Sequence, residues 1–105
     1  MSKPVIVTAT FHLRLESREI VLDALRTAIA AVHEESGCEL YAIHEAADGS
    51  LVMIEKWESA ELLDAHGSSP AVAALGAAIG EHLIAPVEVV RMTAIPMGAL
   101  VQGAL

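Results

Sequence analysis

Asp48-Gly49 lies near the middle of the chain, between two stretches, 38–46 and 50–58, that read as β-strands, and a pair of this type between strands is a strong signal for a hairpin. An antiparallel pair at the centre limits what the flanks can do. Upstream, residues 4–15 are rich in β-branched types. Val5, Val7, Ala9, Phe11 and Leu13 share one parity, and Ile6, Thr8, Thr10, His12 and Arg14 share the other. Ser17 suits a helix N-cap, and apolar residues from Ile20 to Val32 then recur at helical spacing up to Gly37, predicting a helix of about five turns. Downstream, Ser59 caps a short helix that stops near His66-Gly67. Ser69-Pro70 restarts it, and Ala71–Leu83 is built from Ala and Gly with a few larger apolar members. Residues 86–95 read as a last strand and 96–105 as an apolar tail. The order β-α-β-β-α-β predicts an α+β, ferredoxin-like fold: a four-stranded antiparallel sheet with its helices on one face, in one domain over 1–105 with a core at 4–95.

Such a sheet leaves its other face bare, and these strands are apolar on both parities. In residues 51–57, Leu51 and Met53 alternate with Val52 and Ile54. Hydrophobic residues make up 54% of the 105, a surplus for a chain with so little interior. The bare face therefore predicts a homodimer through sheet faces, with the tail a candidate to contact the partner.

Charge and cysteine content narrow the function classes. A net charge of −8 repels nucleic-acid backbones and anionic lipid surfaces, so no nucleic-acid or membrane partner is expected. No run approaches the length of a bilayer span, and the N-terminus lacks a signal-peptide core. A lone cysteine, Cys38, marks no oxidising compartment, so a soluble cytoplasmic protein is the expectation. His12, His33, His44, His66 and His82 are too far apart in sequence to form a local metal motif, and no Gly-rich phosphate loop occurs, so neither metal nor cofactor is expected.

The residues suited to chemistry are Glu55, Trp57 and His66. Glu55 and Trp57 stand two apart on one strand and share a face. His66 sits at a helix break, where it can point over the sheet, and its near-neutral titration suits it to take a proton from a phenol or enol. Each has a plainer role open to it: His66 as a helix cap, Glu55 as an acceptor holding the break, Trp57 as core. Tyr41, Thr10 and His12 are candidate donors to an oxyanion, although parity separates Tyr41 from His44. Arg91 suits a carboxylate partner or a substrate oxygen. His33 and His82 suit helix C-termini, whereas Glu34 and Glu35 run against the dipole of the first helix, and the sequence alone does not explain their placement.

The run Glu35-x-Gly37-Cys38-x-x-Tyr41, the Asp48-Gly49 turn, and Glu55-x-Trp57-x-Ser59-x-x-x-Leu63-x-x-His66-x-x-Ser69-Pro70 together resemble the antibiotic biosynthesis monooxygenases, quinol monooxygenases among them. The resemblance implies small ferredoxin-like chains that pair into a dimeric α/β barrel, each with a pocket between sheet and helices. Some such relatives oxidise polyphenols or quinols with O₂ and no cofactor, some degrade haem, and one group isomerises a phosphorylated sugar. Haem-degrading relatives carry an axial His on the second helix beyond the counterpart of His66, where this chain has Gly76, and an Asn on the first strand, where this chain has none. A phosphorylated sugar calls for basic residues, and the chain has six Lys and Arg in all. The expectation is a cofactor-independent monooxygenase of a phenolic, quinol or polyketide-like aromatic substrate, with His66 as catalytic base and Trp57, Glu55, Tyr41 and Thr10 around the substrate. A non-catalytic small-molecule-binding or stress-related dimer is the competing expectation. The small side chains of the Ala71–Gly80 segment suggest that Ala74 and Ala77 leave the space for the ligand.

Overall fold

The computed structural model describes residues 3–105. Strands β1 (Val5–Phe11), β2 (Cys38–Glu45), β3 (Leu51–Trp57) and β4 (Glu88–Met92) form one antiparallel sheet in the order β2-β3-β1-β4. Helix α1 (Arg18–Val32) joins β1 to β2, and α2 (Ala60–Gly67) and α3 (Pro70–Ile79) join β3 to β4. This is the expected α+β, ferredoxin-like architecture.

Alternation decides which side of the sheet becomes core. Val5, Val7, Ala9 and Phe11 of β1 and Leu51, Met53 and Trp57 of β3 lie in one buried cluster with Val21, Leu25, Ala28 and Val32 of α1, Leu63 of α2, and Leu75 and Ile79 of α3. Cross-strand partners point to the same side, so the register extends this inner face across the sheet. One row runs Arg91, Val7, Glu55, Tyr41 and the next runs Val89, Ala9, Met53, Ile43. The outer face alternates with it. There Thr8, Thr10, Val52 and Ile54 are half-buried, while Val90 and Met92 are exposed. Beyond β4 the tail has no regular element; Ile95, Met97, Leu100 and Val101 are exposed, and the Lys56 Nζ donates to the Leu105 carbonyl at 3.0 Å.

Several elements are shorter than their sequence patterns. The first helix ends at Val32 rather than near Gly37, because the next backbone N–H groups tighten the chain: Glu34 donates to the Ala31 carbonyl and Glu35 to that of Val32. The first strand ends at Phe11. Leu13 makes only an isolated bridge to Leu83, and the Ile84 N–H donates to the His12 carbonyl, so the two crossover loops clasp each other instead of extending the ladder. The last strand is confined to 88–92. The Ser17 hydroxyl makes no cap to α1 and pairs with His82 Nδ1 at 2.8 Å within that clasp. Ser59 and Ser69 do cap their helices, accepting from the N–H groups of Leu62 (3.2 Å) and Val72 (3.3 Å).

Candidate active site

Gly37 is where the site begins. Its φ of +84° belongs to the left-handed region that L side chains rarely adopt, and it turns the chain from the end of α1 into β2. A Cβ at this position would stand 2.5 Å from Leu62 Cδ1, so α2 packs directly on the turn. The Glu58 N–H donates to the Gly37 carbonyl at 2.9 Å, tying the end of β3 to the same point. These contacts bring Glu35, just before the turn, against His66 in the last turn of α2, with His66 Nδ1 2.8 Å from Glu35 Oε1. A carboxylate only accepts, so Nδ1–H is the donor. That leaves Nε2, with its lone pair, as the nitrogen available to a ligand.

The ring is held from below and from the side. The Trp57 ring lies under it at a centroid separation of 4.4 Å and 33° between planes, and Tyr41 meets it edge-on at 5.4 Å and 68°. Trp57 is wholly buried, and its indole N–H donates to Glu55 Oε1 at 2.9 Å. Glu55 is itself only 4% exposed, and burial pushes its carboxyl above the ordinary value, against the pull of the Trp57 N–H and of the neighbouring His66. Burial, reinforced by Glu55 and Glu35, also raises the Tyr41 phenol, which keeps it a hydroxyl donor at physiological pH.

These groups stand at one end of a cavity of about 370 Å³ between the helices and the inner face of the sheet. His66, Glu55 and Tyr41 line it, its walls are otherwise largely apolar, and Arg91 and Val89 reach it from β4. Arg91 donates to Asp64 Oδ1 of α2 at 2.8 Å, the carboxylate partner foreseen for it.

Several of the expected site residues stand elsewhere. Thr10, an expected pocket residue, and His12, a candidate donor, have outer-face parity; Thr10 pairs with Val52 and Glu88, and His12 Nε2 is 3.4 Å from Glu88. Trp57 supports His66 from beneath and is not among the residues that line the cavity. Ala74 and Ala77 are exposed and outside it, because α3 turns Val72, Leu75, Gly76 and Ile79 inward at helical spacing. The space beside α3 is left by Gly76 and Gly80 instead, where an added Cβ meets nothing within 4 Å. Gly76→Leu is therefore expected to fill the cavity and abolish binding of an aromatic ligand while leaving the melting temperature unchanged or higher, since Gly costs a helix about 1 kcal/mol relative to Ala. Ala77→Leu is the outward-facing control, expected to bind as the native chain does. Ligand titration and thermal melts check both.

Glu35 is the site residue that its helix-end position concealed. Its one sequence signal was membership of the motif shared with the family it resembles. Among the remaining histidines, His33 Nε2 is 3.0 Å from the Tyr41 carbonyl, His82 belongs to the loop clasp, and His44 is exposed. Among the described residues, no group of three His, Cys, Asp or Glu could hold a metal ion, and no helix is long and apolar enough to cross a membrane.

The family model for antibiotic biosynthesis monooxygenases matches residues 4–78. A Mycobacterium tuberculosis protein named "Putative monooxygenase Rv0793" is 38% identical over 90 residues, covering 85% of this chain and 89% of the relative. The solved structure of Rv0793 superposes with a TM-score of 0.85 at 34% identity, over 92% of this chain and 100% of that one. A crystal structure described as an antibiotic biosynthesis monooxygenase superposes with a TM-score of 0.82 at 28% identity, over 88% and 99% of the two chains. A conserved protein from Methanosarcina mazei Go1, at 20% identity, shares the fold with a TM-score of 0.83 over 88% and 93%. With the family model spanning most of the sequence and a relative 38% identical over 85% of it, this chain belongs to the antibiotic biosynthesis monooxygenase family.

Proposed function

We propose that the chain is a cofactor-independent monooxygenase that oxidises a phenolic or quinol-like aromatic substrate with O₂. The observation that carries this reading is the His66 imidazole, fixed by Glu35 at Nδ1 and presenting Nε2 at an apolar cavity. His66 accepts the proton of a bound phenol or enol. The substrate anion passes one electron to O₂, and the superoxide and organic radical so formed combine at a ring carbon that bears hydrogen. The imidazolium returns its proton to the peroxide, and the hydroperoxide loses water to leave a quinone carbonyl. One oxygen atom enters the product and the other leaves as water, and the electrons that cleave the O–O bond come from the C–H bond lost at that carbon. Tyr41, held as a hydroxyl, donates to the substrate oxyanion, and the apolar walls keep bulk water from the anion.

The purified protein is expected to consume O₂ with a panel of hydroquinones and anthrones, one mole per mole of quinone formed. Uptake no faster than in buffer across the panel would instead mark the chain as a binding module.

The same proposal includes a homodimer through the outer sheet face. Support comes from exposed Val90 and Met92 on that face and from the exposed apolar tail. A twofold axis lets such a patch cover itself. Size exclusion with light scattering at micromolar concentration should report about twice 11.0 kDa, and a monomer mass would refute the dimer.

A further inference from the structure

The polar groups of the cavity divide between its two ends. His66, Glu55 and Tyr41 stand over β2 and β3, while Arg91 is the one Lys or Arg among the residues that line it. Arg91 and Glu55 belong to one cross-strand row on either side of Val7. At the usual strand spacing their Cα atoms are therefore about 10 Å apart. The wall between them is apolar, with Val7 in the same row and Ala9 and Phe11 beyond it. In a chain of net charge −8 with only six Lys and Arg, Arg91 is the one permanent cation among the lining residues, and Asp64 is its counter-ion. Asp64 leaves α2 about 200° around the helix from His66, two residues away. Asp64 is not among the lining residues, and the pair is about half exposed, so the contact is one a ligand anion can displace.

We infer that the substrate carries an anionic group, a carboxylate or an equivalent acid, at the end of a fused aromatic framework opposite its oxidisable hydroxyl. Arg91 is the residue that selects it. The guanidinium pairs with the acid at the β4 side of the cavity, and the ring system spans the apolar wall. The phenol thereby arrives at His66. Asp64 competes with the ligand for the same guanidinium and so weakens binding of the acid. The inference rests on the proposed function only in naming His66 as the reacting end.

The test uses a fluorescent hydroxynaphthoate with its hydroxyl and carboxylate at opposite ends, set against its neutral methyl ester, with the full-length chain and without oxygen so that no turnover enters. The acid is expected to bind about tenfold more tightly than the ester, Arg91→Gln to remove that preference with little change for the ester, and Asp64→Asn to tighten the acid alone. Equal binding of acid and ester, failure of both to bind, or a preference that survives in Arg91→Gln overturns the inference. Should Arg91→Gln fail to fold, Asp64→Asn decides it: unchanged affinity for the acid overturns it. If the acid preference holds but no substrate panel draws O₂ uptake, the monooxygenase reading fails and the anion site stands.

Discussion

Replacing His66 by alanine is expected to lower the O₂ uptake rate by about 10²–10⁴-fold, the range over which a positioned acid–base group contributes. No other residue lining the cavity offers an equivalent base. Glu55 has its Oε1 committed to the Trp57 indole N–H, and Tyr41 stays a hydroxyl. Glu35 acts through His66, so Glu35→Gln should lose less, roughly 10–100-fold, and the loss should fall on kcat more than on KM. A glutamine still accepts the Nδ1–H bond but cannot stabilise the imidazolium that forms during turnover. Added imidazole should restore part of the His66→Ala rate. A His66→Ala variant that turns over at the native rate, while remaining folded, would remove His66 from the mechanism.

Gly37→Ala is expected to cost about 2–5 kcal/mol of stability, made up of left-handed backbone strain and overpacking against α2. The Cβ would lie 2.5 Å from Leu62 Cδ1 and 2.8 Å from Leu62 Cβ. The second distance matters more. A rotamer change can move Cδ1 away, but Cβ moves only with the helix backbone. Because α2 carries His66 and its N-terminus is tied to Gly37 through Glu58, relief of this clash should also pull His66 from Glu35. The variant should therefore lose activity beyond what its melting temperature explains. Asn tolerates a positive φ but brings the same Cβ, so Gly37→Asn should be nearly as destabilised as Gly37→Ala. Recovery of native stability in Gly37→Asn would mean that strain alone, without the Leu62 contact, sets the cost. Denaturant unfolding of both variants measures this directly.

Which parts of this site were legible in the sequence follows from the range of the interactions involved. Strand parity alone places Glu55 and Trp57 on one face, since alternation is a property of the backbone. The helix break that frees His66 is likewise local, written in Ser59, Gly67, Ser69 and Pro70 and seen in two capped helices. Thr10 and His12 show where such reading weakens. Their alternation was plain, but which parity faces the helices is settled by the packing of the whole sheet, and it turned both residues away from the cavity. The alanines of α3 failed in the same way. A segment that is small and apolar nearly all round carries little amphipathic signal, so Ala74 and Ala77 were indistinguishable from Gly76 until Leu75 and Ile79 entered the core.

By itself, then, the sequence determined the element order, the antiparallel hairpin, the caps of α2 and α3 and the identity of a histidine suited to proton transfer, because each depends on neighbours a few residues away. The tertiary structure decided the rest. Glu35 and His66 are 31 positions apart and meet because Gly37 lets α2 close onto the turn, and Arg91 reaches the cavity because β4 pairs with β1 at a register that sets it beside Val7. These contacts join segments distant in sequence. Their geometry is set by packing, which local periodicity does not encode.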